Sequence, residues 1–338
     1  MIFIDGSYTN NKVRILDKIH LSNCPCCQST EFEIVHQGYD DRLGYPDIFN
    51  IVLCKICNYV FIQDPIRVDL VSELYRQYYP TYPINKLHSV GFKKGFRGLF
   101  ESKKWFNFLE GSPDLSIFIK SDESILDIGC SYGASAKIVM ERGGLWTGIE
   151  IDSRCCEYLR NIELRHFMGS IEEFAEISKE KFDMIMFSQV LEHLYDPLSA
   201  LRAATKILTD NGRILVSMPN YESRYKRKYG KLWLHWHIPY HVGQWSKKSL
   251  YFACEKVGLR IHRFSTVTFF AWWRVQRAFK AAKQGRPNPS YPKGALPRWM
   301  HRTGLAILYH LFVDVYLRIL DGFGGGDIII AELKVNKG

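Results

Sequence analysis

Several absences narrow this sequence before any motif is considered. The first residues, MIFIDGSYTNNK, lack a basic start followed by an apolar run and a cleavage site, so they do not read as a signal peptide. No clean apolar stretch reaches the roughly 20 residues that a membrane-spanning helix needs. The longest candidate, GLAILYHLFVDVYLRIL (304 to 320), is interrupted by His310, Asp314 and Arg318. Both absences lead us to expect a cytoplasmic protein. An even cysteine set is also missing: there are nine, four of them in two CxxC pairs. In a cytosolic chain that pattern argues for metal rather than disulfides. Acid is scarce where base is dense. Residues 224 to 231 (RYKRKYGK) hold five Lys or Arg and no acid, and 266 to 320 hold nine against Asp314 alone. The net charge of +10 therefore sits in two stretches, which suit anionic partners, and the remainder is slightly acidic. What the chain does have is apolar residues, 46% of 338, enough for a large domain with an appendage or for two domains.

The cysteine pairs come first along the chain. NCPCCQSTEF and VLCKICNYVF give Cys24-x-x-Cys27 and Cys54-x-x-Cys57. Each pair makes a knuckle, and two knuckles brought together place four thiolates around a zinc ion. A closed four-sulfur set leaves no open coordination position, so the expected role is structural. The loop between the pairs is longer than the usual zinc-ribbon spacing of about 15 to 20 residues, and Cys26 is a spare thiol beside them. The aromatic run LVSELYRQYYPTYP then breaks at Pro80 and Pro83. We expect a zinc-ribbon domain over 1–80 and a helical linker over 81–115.

From residue 116 short β-rich runs alternate with helical ones. SILDIG, LWTGIEI, LRHFMG, FDMIMFS and GRILVSMP read as strands; ASAKIVMERGG, SRCCEYLRN and DPLSALRAATKIL read as helices. In the last helix Leu198, Leu201, Ala204 and Leu208 share a face, with Asp196 and Pro197 as cap and first residue. This alternation predicts an α/β, doubly wound parallel sheet with its ligand at the carboxyl ends of the strands. The turn LDIGCSYGAS follows the first strand. Gly129 and Gly133 allow close backbone approach and Asp127 offers a carboxylate, while Ser131 stands where a middle glycine would complete a dinucleotide motif. About twenty residues on, Glu150 ends the second strand, where an acid can hold both ribose hydroxyls.

Taken together, ILDIGCSYGASAKIV, GIEID and FDMIMFSQVLEHLYDPLSALRAATKILTDNGRILVSMPN resemble the class I S-adenosylmethionine-dependent methyltransferases over roughly 124 to 220. The preceding zinc ribbon and the later PYHVGQWSKKSL narrow the resemblance toward bacterial sugar C-methyltransferases and polysaccharide-cluster methyltransferases. It implies a Rossmann-like seven-stranded sheet whose last strand is antiparallel, and S-adenosylmethionine as cofactor. On that resemblance Asp127, Gly129, Cys130, Ser131 and Gly133 border the methionine part. Glu150 takes the ribose, Ile151 and Ile171 sandwich adenine, and Ser170, where many relatives have an acid, stands near the adenine edge. Ser188 and Gln189 face the sulfonium. Residues 116–338 then form the methyltransferase domain, with an acceptor loop over 220–248 and a helical insertion over 270–322 before the last strand.

Methyl transfer from a sulfonium is an in-line displacement, so alignment and water exclusion matter most. A hydroxyl acceptor, or a carbon beside a carbonyl, also needs a base. His193 in VLEHLYDP is the first candidate, with Glu192 beside it. LEH also resembles the ubiquinone-pathway O-methyltransferases, in which a further acid helps to hold a metal; Gln189 occupies that acid's position here, which disfavours a hard-metal site. In HWHIPYHVGQW the histidines lack a carboxylate or cysteine partner within the segment. His241 is read as substrate contact or alternate base, and His235 and His237 as satisfied locally. Lys228, Trp233, His237 and Tyr240 are candidate acceptor contacts, the aromatics serving equally well as a small core. The expected acceptor is sugar-like and anionic, linked to a nucleotide or lipid. Small-molecule O-methylation, nucleic-acid methylation and non-catalytic cofactor sensing are the rivals, and nucleic acid is disfavoured because no Asn/Asp-Pro-Pro-aromatic motif follows the fourth strand. The stretch 270–320 is read as packing on the domain or a second subunit, or as peripheral membrane contact.

Overall fold

The computed structural model describes residues 15–79, 118–268, 275–277, 279, 280, 283, 312 and 315–336. The linker expected at 81–115 and much of the 270–322 insertion, including His310 and Asp314, lie outside the described residues. Near the start, β1 (Phe32–Tyr39), β2 (Ile48–Cys54) and β3 (Val60–Ile62) run antiparallel and are followed by helix α1 (Val71–Tyr78).

The main sheet then assembles from β4 (Ser124–Ile128), β5 (Leu145–Glu150), β6 (His166–Met168), β7 (Phe182–Ser188), β8 (Leu208–Pro219), β10 (Leu259–Val267) and β11 (Ile328–Val335). Its order is β10-β11-β8-β7-β4-β5-β6. The five strands from β4 to β8 pair in parallel, and β11 lies antiparallel to both its neighbours. Parallel strands are covered on both faces, which is why β4 and β7 read as apolar runs broken only by Asp127 and Asp183 among their inner residues: Ile125, Leu126, Met184, Ile185 and Phe187 are all fully buried. The chain leaves β4 toward β5 and β6, then returns to β7 on its other side. Strand order reverses there, and the crevice beyond the carboxyl ends of β4 and β7 is the place such a sheet offers a ligand.

The connecting helices start where the sequence supplies caps. After the short α2 (Ala136–Met140), Asp152 accepts from the Arg154 N–H ahead of α3 (Ser153–Asn161), Ser170 and Glu173 form a capping box on α4 (Ile171–Ile177), and Asp196 caps α5 (Pro197–Lys206). Helix α5 is shorter than its apolar face suggests. Leu198, Leu201 and Ala204 are buried on it, but Leu208 is already the first residue of β8.

The first sheet does not close within residues 1–80. Its fourth strand is β9 (Gly243–Gln244), contributed by the 220–248 stretch, with Val60 opposite Gln244 and Phe61 opposite Gly243. Position 243 has to be glycine, because a Cβ there would sit 1.7 Å from the Tyr59 hydroxyl. Beneath this sheet Tyr45, Phe49, Ile51, Trp233, Trp236 and Tyr240 make a second apolar core. Of the polar stripe expected in the insertion, Arg318 turns inward: it is buried, 2.9 Å from Asp321 and bonded to the Thr268 carbonyl, whereas Tyr316 and Ile319 are exposed. Among the described residues no helix is long and apolar enough to cross a membrane.

Candidate active site

The turn after β4 carries the first half of the site. Gly129 has φ +63°, and a Cβ on it would meet Val190 at 2.7 Å, so both conformation and space require glycine. Ser131, with φ +49°, holds a left-handed conformation without being glycine, and Gln189 does the same at +59° after β7. Each costs on the order of 1–3 kcal/mol and flanks the crevice, a usual place for such strain. Asp127, buried at the end of β4, accepts from Ser135, whose hydroxyl also receives the Trp146 indole N–H at 2.8 Å. Glu150 takes three backbone N–H groups, from Ile151 at 2.8 Å, Asp152 at 2.9 Å and Ser131 at 2.8 Å. The carboxylate is thereby fixed between the end of β5 and the glycine turn. Gly133 and Cys130 close the turn through the Gly133 N–H to Cys130 carbonyl bond, and burial pushes the Cys130 thiol up.

Two of the expected adenine neighbours have other work. The Ser170 hydroxyl is the cap of α4 at 3.2 Å from the Glu173 N–H, and Ile171 is buried in the main core. Ile151, 61% exposed, is the residue of that set with a free apolar face. Ser188 ends β7 with its hydroxyl 3.5 Å from that of Ser217, to which Gln189 also donates at 3.2 Å.

After β7 lies a polar cluster in which two residues are buried and His193 is half-buried. Glu192 and His193 occupy a single 3-10 turn after β7, and His241 comes from the loop before β9. One ligand atom from each of the three lies within 4.8 Å of the others. Glu192 is completely buried, neither carboxylate oxygen has a hydrogen-bond partner, and burial raises its pKa to about 8. The His193 Nδ1 lies 2.9 Å from the Tyr240 carbonyl and 3.0 Å from the Tyr75 hydroxyl; burial lowers its pKa to about 4. The His241 Nδ1 lies 2.8 Å from the His235 carbonyl, and burial holds this ring well below the ordinary histidine range. The two rings meet edge to face at 4.7 Å. Both imidazoles are therefore neutral near neutral pH.

The remaining candidates divide. His237 and Tyr240 border the cluster, His237 with its ring 4.9 Å from His241. His235 is paired with Asp327 at 3.2 Å, a partner just before β11 and outside its own segment. Trp233 is not an acceptor contact: it is fully buried and its indole N–H donates to Asp327 at 2.8 Å. Lys228 is exposed on helix α6 (Arg224–Tyr229), away from the cluster, with its ammonium 5.6 Å from the Tyr229 ring. Sequence reasoning missed Tyr75 and Tyr79 of the aromatic run, and Arg42. Tyr79 packs on His237 at 5.8 Å and on Tyr240 at 5.2 Å; Arg42 donates to Asp41 and to the Leu234 carbonyl. The signal available was the run YRQYYPTY itself, four tyrosines in eight residues.

At the other end of the first sheet, Cys24 and Cys57 sulfurs are 3.6 Å apart, Cys27 and Cys54 sulfurs 3.4 Å, and all four lie within 4.8 Å of one another. A tetrahedral zinc with Zn–S of about 2.3 Å places its sulfurs about 3.8 Å apart, so the four fit that ion. The knuckles are alike: Gln28 and Asn58, each following a second cysteine, have φ +65° and +60°. Cys26 stands outside the set, its thiol directed to the Ser249 carbonyl at 3.2 Å.

The family model described as a methyltransferase domain matches residues 103–263. Ubiquinone biosynthesis O-methyltransferases are similar in part. That of Aeromonas salmonicida (strain A449) is 31% identical over 102 residues, covering 28% of this chain and 43% of that protein. That of Alkalilimnicola ehrlichii is 29% identical over 102 residues, covering 28% and 41%. The chain thus spans less than half the length of the curated relatives it matches. Among solved structures, a SAM-dependent methyltransferase from Archaeoglobus fulgidus aligns at TM-score 0.43 and 16% identity, covering 68% of this chain and 98% of that one.

Proposed function

With a class I methyltransferase domain as premise, we propose that the protein transfers the methyl group of S-adenosylmethionine to an oxygen of a small acceptor. The observation that carries this reading is a pair of unlike features at the carboxyl ends of the neighbouring strands β4 and β7. One is the glycine turn, with Asp127 and Glu150 held for a cofactor; the other is a group of neutral imidazoles beside an acid. The partial similarity to enzymes named as O-methyltransferases supports oxygen over carbon. In this reading Glu150 receives the ribose hydroxyls and the Gly129–Gly133 turn the methionine part. Because the Nδ1 atoms of His193 and His241 face carbonyls, each ring keeps its Nε2 lone pair, and His193 is the base that accepts the acceptor's proton. Zinc in the four-cysteine set holds the first sheet, and through β9 the acceptor wall. A sugar-like acceptor is the second reading, supported by the rings of Tyr75, Tyr79 and Tyr240, which could stack on its faces, and by the half-buried Arg42 guanidinium, which suits an anionic group.

Calorimetry with S-adenosylmethionine is the first test, and absence of binding by zinc-loaded protein would overturn the reading. Acceptor identity follows from a panel of phenols, catechols and nucleotide sugars, scored by mass for one added methyl group.

A further inference from the structure

We propose that His36, Lys226 and Lys231 form a binding site for a phosphate or diphosphate ester, on the outer end of the loop that carries His237, Tyr240 and His241. The three side chains come from two distant parts of the chain, strand β1 and the basic run RYKRKYGK, and packing joins them. The Lys226 ammonium lies 3.7 Å from the centre of the Tyr221 ring. Tyr221 in turn meets Trp236 at 6.0 Å, and His36 packs edge to face on Trp236 at 4.4 Å. Trp236 also donates its indole N–H to the Gly230 carbonyl at 2.9 Å, which ties the backbone just before Lys231 to the same ring.

A basic helix that is merely solvated points its ammonium groups away from one another into water. Here they converge on a half-buried imidazole. Burial first, and then Lys231 and Lys226, hold the His36 pKa at about 4. Lys226 is itself lowered, by burial and then by Arg227. Among the described residues neither lysine stands in an ion pair and His36 has no hydrogen-bond partner. The acid on the same strand near Tyr221, Glu33, is engaged with Lys55 at 3.7 Å, and Ile51 of β2, opposite His36, is uncharged. Lys228 and Lys280, each 5.6 Å from the Tyr229 ring, extend the positive field, so the second basic stretch of the sequence arrives beside the first. An anion with several oxygens answers this arrangement. A phosphate monoester carries a charge of about −1.5 to −2 at neutral pH, which matches two lysines as a single carboxylate does not. The imidazole supplies one N–H to it when neutral and two once protonated. The site deepens the proposed function and rests on it only in taking this loop as the acceptor's wall: the substrate class it names is an acceptor with a phosphate or diphosphate tail.

The test needs no methyl transfer. The full zinc-loaded chain, labelled with 13C on histidine, is titrated with inorganic pyrophosphate. The His36 resonance, identified by its absence in His36→Gln, is followed against pH. Bound pyrophosphate is expected to raise the His36 pKa from about 4 toward 6.5. Joint substitution Lys226→Gln and Lys231→Gln is expected to weaken pyrophosphate binding about 10-fold or more. Vesicles containing phosphatidate form a second arm: a His36 response to vesicles but not to pyrophosphate assigns the ester to a lipid, and a response to pyrophosphate assigns it to a soluble molecule. A His36 resonance that neither probe moves overturns the proposal, as does binding that the double substitution leaves unchanged. Failure of the methyltransferase reading would look different: no heat with S-adenosylmethionine, and a His36 resonance that still responds.

Discussion

Single residues differ sharply in what their removal should do. Glu150 is held by three backbone N–H groups at the edge of the glycine turn. Glu150→Ala removes both that brace and the carboxylate proposed to hold the ribose, so cofactor affinity should fall about 10- to 100-fold, measured by calorimetry. His193→Ala should instead lower turnover by about 100-fold or more with cofactor binding nearly intact. Equal loss of binding in the two variants would make His193 a purely structural residue. His36 offers a pH test away from the crevice. Its ring meets Trp236 at 4.4 Å, and burial, with Lys231 and Lys226 nearby, lowers its pKa from 6.5 to about 4. Between those values the unfolded chain binds the proton and the folded one does not, so stability falls as pH falls through this window. Urea midpoints above and below it should converge in His36→Gln.

At the scale of elements, legibility followed burial. Strands β4, β5, β7 and β8 were readable because strands covered on both faces are largely apolar, and α5 announces itself by Asp196 and Pro197; α4 was not read, its capping Ser170 having been assigned to the adenine edge. Strand β9 was not readable. Two residues, Gly243 and Gln244, carry no periodicity, and their partner strand is far away in sequence. For the same reason the contact of Tyr75 with His193, 118 positions apart, left no local trace. Trp233 and Lys228 misled because an aromatic and basic loop looks alike whether it lines a pocket or covers a core. The start of β11 shows what that loop is fastened to. Asp327, buried just before the strand, accepts from Ser223 and Trp233 at 2.8 Å each and faces His235 at 3.2 Å. Asp327→Ala leaves buried donors without an acceptor and should cost about 3 kcal/mol, with Asp327→Asn costing less, read from chemical denaturation.

Over the whole molecule, the two sheets are one mechanical system. The cysteine knuckles brace β2 and β3, β3 pairs with β9, and the loop before β9 carries His237, Tyr240 and His241. Loosening the knuckles should therefore be felt in the acceptor wall. In Cys54→Ser, amide hydrogen exchange should rise across 235–245 while β4 to β8 keep their protection. Unchanged exchange in 235–245 would mean that the loop is held by its own core of Trp233 and Trp236 alone.

The position of β9 also has a consequence in time. On the ribosome, residues 15–79 emerge long before residue 243, so the first sheet waits with β3 unpaired along one edge while the main sheet is still being made. At ordinary rates of protein synthesis that interval is on the order of ten seconds or more. An exposed strand edge invites pairing with other chains. Early capture of the metal by the cysteine knuckles would hold the half-built sheet in register until its last strand arrives, which makes metal supply during synthesis, and not only afterwards, a determinant of how much protein folds.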